Sequence, residues 1–136
     1  MGKSEFERED YDRLSYRING LAIQVHRHLG PGLLESAYEA CMEFELQQAG
    51  LRYERQKPLP VVYKGQRLEC GYRLDFVVER RIVLELKAVC TVDKIHKSQL
   101  LSYLRLGGWK LGLLLNFNVE TMKNGIERVV NNLPGE

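Results

Sequence analysis

Tyr72-Arg73-Leu74-Asp75-Phe76-Val77-Val78, then Glu79-Arg80-Arg81, then Ile82-Val83-Leu84-Glu85-Leu86-Lys87-Ala88: this stretch decides how the chain folds. Branched and bulky apolar residues dominate the two outer runs, which predicts two strands, and the polar triplet between them predicts a turn. Asp75, Glu85 and Lys87 interrupt the apolar pattern. Side chains alternate faces along a strand, so Glu85 and Lys87 point one way while Leu84 and Leu86 point the other. Asp75 stands four residues before the turn and Glu85 four residues after it. Folding the hairpin therefore sets Asp75 near Glu85 and Lys87. A lone Asp or Lys in a strand is ordinarily explained by an ion pair on an exposed face. A trio set into apolar strands needs another reason, because burying unpaired charge is costly.

Two carboxylates with a lysine beside them have a chemical use. Hard cations such as Mg²⁺ take carboxylate oxygens from one or two side chains and fill the remaining positions with water and substrate phosphate. A metal so held lowers the pKa of its water and stabilises charge on a phosphodiester. The Lys87 ammonium can orient or help activate that water and offset phosphate charge.

Upstream of this stretch the period is helical. From about Tyr11 to Leu29, apolar residues recur at spacings of three and four (Leu14, Ile18, Leu21, Ala22, Val25). Gly30-Pro31-Gly32 ends that helix. A second helix is expected from about Leu33 to Ala49, capped by Gly50. Leu59 to Tyr63 and Arg67 to Cys70 then flank a Lys64-Gly65-Gln66 turn and read as a hairpin, with Tyr72 to Val78 as a third strand. Downstream, Asp93 to about Leu106 is helical and is stopped by Gly107-Gly108. Leu111 to Phe117 reads as a buried strand, and a last helix is expected from about Val119 to Val130. Hairpin-linked strands followed by a helical crossover into one more strand imply an α/β fold, a mixed central sheet flanked by helices. The whole chain, residues 1–136, reads as one domain, with residues 1–10 as a flexible N-terminal segment.

The chain has 136 residues, enough to close one hydrophobic core. Its net charge of +2 neither demands nor excludes a nucleic-acid partner, since a local basic patch suffices for phosphate contacts. Cys41, Cys70 and Cys90 are odd in number and widely spaced, which argues against a disulfide framework or a zinc site and for reduced thiols in the cytoplasm. Neither a signal peptide nor a run of about 20 apolar residues is present, so no membrane association is expected. The P-loop, GxGxxG and GxSxG motifs of other enzyme classes are absent.

The pattern Asp75…Glu85-Leu86-Lys87 resembles the core of the PD-(D/E)xK superfamily of metal-dependent nucleases. Gly32-Leu33-Leu34-Glu35-Ser36-Ala37-Tyr38 is similar to the GxxExxY signature of one of its branches. Gln99-Leu100-Leu101-Ser102-Tyr103 matches the QxxxY motif of its RecB-like members. Together these motifs make the resemblance specific and extend it from about Val25 to about Val130. It implies a restriction-endonuclease-like core. It further implies a Mg²⁺ or Mn²⁺ ion held by Asp75, Glu85 and the Leu86 backbone carbonyl, with Glu35 reaching the same cluster and His26 as a further candidate ligand. Gln99 would hold the site or contact substrate, and Tyr103 would contact phosphate or base.

The expected function is thus a metal-dependent phosphodiesterase acting on nucleic acid, DNA in the first instance. The competing expectation is a module of the same fold that binds nucleic acid or a protein without turnover, since fold alone does not fix function. A protein partner or self-association would then supply substrate choice. Lys94 and Lys97, at the start of the helix carrying Gln99, suit a phosphate, but solvated lysines are the commoner case. Arg52, Arg55, Lys57, Lys64 and Arg67 form a basic flank, read as solvated surface.

Overall fold

Two long helices begin the fold, α1 (Arg8–Leu29) and α2 (Glu35–Gln48). The structure, a computed structural model, describes residues 5–135. Residues 1–4 of the segment expected to be flexible lie outside the described residues, whereas Arg8 to Asp10 form the first turn of α1. The helix starts earlier than the apolar period suggests because polar groups start it. The Glu7 amide donates to Asp10 Oδ2 at 2.8 Å, satisfying a backbone N–H that a helix start leaves unpaired.

Between α1 and α2 the chain turns through Gly32, whose φ of 99° suits glycine and few other residues. Tyr38 fastens that turn. Its hydroxyl donates to the Gly30 carbonyl at 2.6 Å and accepts from the Leu33 amide at 3.2 Å. Its ring is fully buried and stacks on Phe117, with centroids 4.5 Å apart.

The sheet comprises β1 (Tyr53–Tyr63), β2 (Gln66–Val78), β3 (Ile82–Lys87), β4 (Leu111–Asn116) and β5 (Ile126–Val130), in that spatial order. Only β3 and β4 pair in parallel; the other pairings are antiparallel. A parallel pair needs a crossover, and α3 (Lys94–Gly107) supplies it. The architecture is therefore the expected α/β class, a mixed five-stranded sheet with helices on both faces. On one face Ile18, Ala22, Tyr38, Met42 and Leu46 pack against Phe76, Val78, Leu84, Leu86, Leu113 and Leu115. On the other, Leu100, Tyr103 and Leu104 of α3 cover Leu74, Val77, Val83 and Leu114.

Two expectations are corrected. Arg67 to Cys70 and Tyr72 to Val78 are one strand, β2, not two. A bulge at Gly71, where the register with β1 shifts between Leu59 and Val61, imitates a break in the sequence. The C-terminal helix expected over Val119 to Val130 is a short 3₁₀ turn (Met122–Gly125) followed by β5. Val119, Met122, Ile126 and Val130 have helical spacing, but Gly125 packs so closely that a Cβ there would collide with the Asn116 carbonyl oxygen. That approach holds the segment against β4 as an edge strand.

Candidate active site

Asp75 lies where β2 and β3 part. The backbone ladder pairs Val78 with Ile82, Val77 with Val83 and Phe76 with Leu84. One residue further on, side chains take over. The Asp75 amide donates to Glu85 Oε2 at 3.0 Å, and the Leu86 amide donates to Asp75 Oδ2 at 2.8 Å. Each carboxylate satisfies a backbone N–H that the opening of the sheet would otherwise leave unpaired. The two acids are thereby fixed beside one another at the fork.

Their environment disfavours two negative charges. Burial pushes the Glu85 carboxyl up, the neighbouring Asp75 charge pushes it further, and the result is a pKa of about 8. The Asp75 amide and the Lys87 ammonium act against that rise. Asp75 is also raised, first by burial and then by Glu39 and Glu35, while the Leu86 amide and the Gln56 side chain oppose. A close pair of carboxylates in such a place takes up a proton or a cation. Lys87, two residues beyond Glu85 on the same strand face, is half-buried and forms no ion pair among the described residues. Its ammonium stays available to a ligand.

The helices contribute unequally. Tyr103 is buried on α3 and its phenol is pushed up by burial, then by Glu85, by Tyr72 against which its ring lies at 5.6 Å, and by Asp75. Tyr103 therefore feels the charge of the acidic pair. Gln99, one helical turn earlier, is exposed. Glu35 is exposed at the first position of α2 and reaches the pair through its charge on Asp75. His26 is buried on α1, where its Nε2 lies 2.6 Å from the Val119 carbonyl oxygen. That bond ties α1 to the loop after β4, and His26 shares a cleft with Pro31 and Thr121 that neither Asp75 nor Glu85 lines. Of the basic flank, Arg55 is bonded to Glu39 at 2.7 Å and Glu43 at 2.8 Å. Lys97 pairs with Glu127 at 3.1 Å.

Two neighbours of the pair escaped the sequence reading. Glu39 acts electrostatically on both acids, and Gln56 donates to Asp75 Oδ1 at 3.2 Å. Glu39 had a signal, since it follows Glu35 by one helical turn and so shares its face. Gln56 had none.

Among the described residues, no three His, Cys, Asp or Glu side chains form a cage for a metal ion. The donor set fits a different kind of ion binding. Two adjacent carboxylates whose charges repel suit a hard cation that keeps waters and takes substrate oxygens as further ligands. Clefts of about 820 and 530 Å³ lie at the other end of β2, around Arg52, Glu79 and Arg80, and the acidic pair lines neither.

The sheet is mixed and opens at an Asp–Glu pair, with Lys87 on the same strand forming no ion pair among the described residues. The model of the PD-(D/E)XK nuclease superfamily matches residues 12–129, and the chain belongs to that superfamily. Membership indicates nuclease-type activity, a nucleic-acid substrate and the divalent metal that such nucleases generally use. No curated protein and no solved structure matches the chain.

Proposed function

We propose that the protein is a Mg²⁺- or Mn²⁺-dependent phosphodiesterase that hydrolyses DNA, of the GxxExxY branch with a RecB-like QxxxY helix. The observation that carries this reading is the reciprocal bonding of Asp75 and Glu85 at the strand fork, with the Lys87 charge acting on Glu85. Asp75, Glu85 and the Leu86 carbonyl would hold the ion, with Glu35 as an outer carboxylate. His26 stays a weaker candidate because its ring already bonds the Val119 carbonyl. When bound, the ion supplies Lewis acidity toward the phosphate and a more acidic water.

The chain's own groups do the rest. Lys87 orients the attacking water and offsets charge on the non-bridging oxygens as the new O–P bond forms and the leaving O–P bond breaks. Tyr103 donates its hydroxyl to a phosphate oxygen, and Gln99 contacts the strand from the exposed rim. The β1–β2 hairpin supports a nucleic-acid path. Beyond Asp75 it carries Lys64, Arg67 and Arg73 together with the exposed Tyr63 and Tyr72, cations for phosphates and rings for bases. Three free cysteines, and no helix among the described residues long and apolar enough to cross a membrane, accord with a cytoplasmic site of action.

Cleavage and binding measured side by side test the reading, on single- and double-stranded DNA and on RNA at one salt concentration. Wild type should cut DNA only with Mg²⁺ or Mn²⁺. Lys87→Ala should lower kcat by roughly 10²- to 10³-fold with metal binding retained, since a transition-state contact is removed. Asp75→Asn should lose both activity and metal binding. Binding without metal-dependent cleavage across all substrates contradicts the proposal and favours a binding module.

A further inference from the structure

β1 and β2 change faces at one point. On β1, Tyr53 packs toward the α1–α2 side and Leu59 toward the α3 side, although they stand six positions apart. On β2, Phe76 and Leu74 divide in the same way. Regular alternation would put each pair on one face. The register is unchanged across the crossing, with Arg55 opposite Phe76 and Lys57 opposite Leu74. The residues between them are Gln56 and Asp75. Gln56 has a φ of 53°, a left-handed conformation that a non-glycine residue adopts inside a strand only when something holds it there.

Its side chain supplies the holding contacts. Gln56 Nε2 lies 3.1 and 3.0 Å from the two Glu39 carboxylate oxygens and 3.2 Å from Asp75 Oδ1. Ionised carboxylates only accept, so the amide nitrogen, not its oxygen, faces them, and an NH₂ group has two hydrogens to share. One serves Glu39 and the other Asp75. The amide thus sits as a neutral donor between two like charges. Asp75 is held at both oxygens, by Gln56 at Oδ1 and by the Leu86 amide at Oδ2.

We infer that Gln56 is a positioning residue for the reaction: its left-handed backbone and bridging amide aim the Asp75 carboxylate into the fork and keep Glu39 from displacing it. The inference rests on the nuclease reading and adds to it a residue on a strand that carries none of the motif. Gln56 acts through Asp75 and does not touch substrate. Glu39, whose Oε2 also accepts from Arg55 Nε at 2.7 Å, is the fixed post against which the amide braces.

Two variants test it. Gln56→Gly removes the amide but relieves the backbone, since glycine adopts positive φ readily. Gln56→Asn keeps an amide and tolerates the left-handed backbone, but is one methylene too short to span both carboxylates. Melting temperature, Mn²⁺ affinity by calorimetry, and kcat and KM are measured for both. The expected result is a melting temperature near that of wild type, a KM little changed, and a fall of roughly 10- to 100-fold in Mn²⁺ affinity and kcat, the size typical of groups that orient a metal's ligands. Unchanged affinity and kcat in both variants overturn the inference, as does a loss that only follows a lowered melting temperature. A crystal structure of Gln56→Gly with the Asp75 carboxyl unmoved overturns it whatever the activity. A wild type that neither binds Mn²⁺ nor cleaves is a separate failure, that of the nuclease reading itself.

Discussion

Glu85 is a buried carboxyl bonded to the Asp75 amide, and its environment makes a prediction with a definite sign. Its ordinary value is 4.5 and the fold raises it to about 8. Between those values the folded protein keeps a proton that the unfolded chain has shed. The associated stability is full below the lower value and is lost as pH rises through the window. In the proposed site a cation would replace that proton, so the gain in melting temperature on adding Mn²⁺ should grow from about pH 6 to about pH 8. Thermal melts at both pH values, with and without Mn²⁺, check this; a gain that does not vary with pH contradicts it. At this scale the sequence was partly readable. The even spacing of Asp75 and Glu85 about the turn foretold that they would meet, because register in a tight hairpin follows from turn length. Gln56 was not readable, because nothing in the letters Arg55-Gln56-Lys57 encodes a φ of 53°.

Among the elements, Gly32 to Tyr38 form the turn into α2 and its first residues, and the fold gives two of them plain physical jobs. Gly32 makes the turn and Tyr38 locks it. Tyr38→Phe keeps the stack on Phe117 but leaves the Leu33 amide and the Gly30 carbonyl without the hydroxyl. Its expected cost is about 1–3 kcal/mol, the range for buried backbone groups left unpaired. Urea unfolding measures it, and a midpoint equal to that of wild type would show that water replaces the hydroxyl. The helix order, the turn at Glu79 to Arg81 and the crossover through α3 were legible because period and punctuation agree there. The segment after β4 was not. Apolar residues three and four apart suit a helix, and the close approach of Gly125 to Asn116 that forbids one depends on the finished sheet.

Over the whole molecule, the sheet sorts its surfaces by use. The turn end of β2 and β3 is built of arginines and carboxylates, with Arg52 bonded to Glu79. The opposite end opens at the acidic fork, beyond which β1 and β2 continue as a hairpin whose residues are mostly exposed. Membership of the superfamily and the α/β class follow from the chain as a whole, whereas the identity of the metal ligands is a claim about a few oxygen atoms. Anomalous diffraction from crystals soaked in Mn²⁺ tests that claim most directly. The expected result is a peak between Asp75 and Glu85 at about 2.0–2.6 Å from a carboxylate oxygen of each, with the Lys87 ammonium facing the same space. Mn²⁺ bound elsewhere, with the Asp75–Glu85 fork empty in a protein that still cleaves DNA, would contradict it.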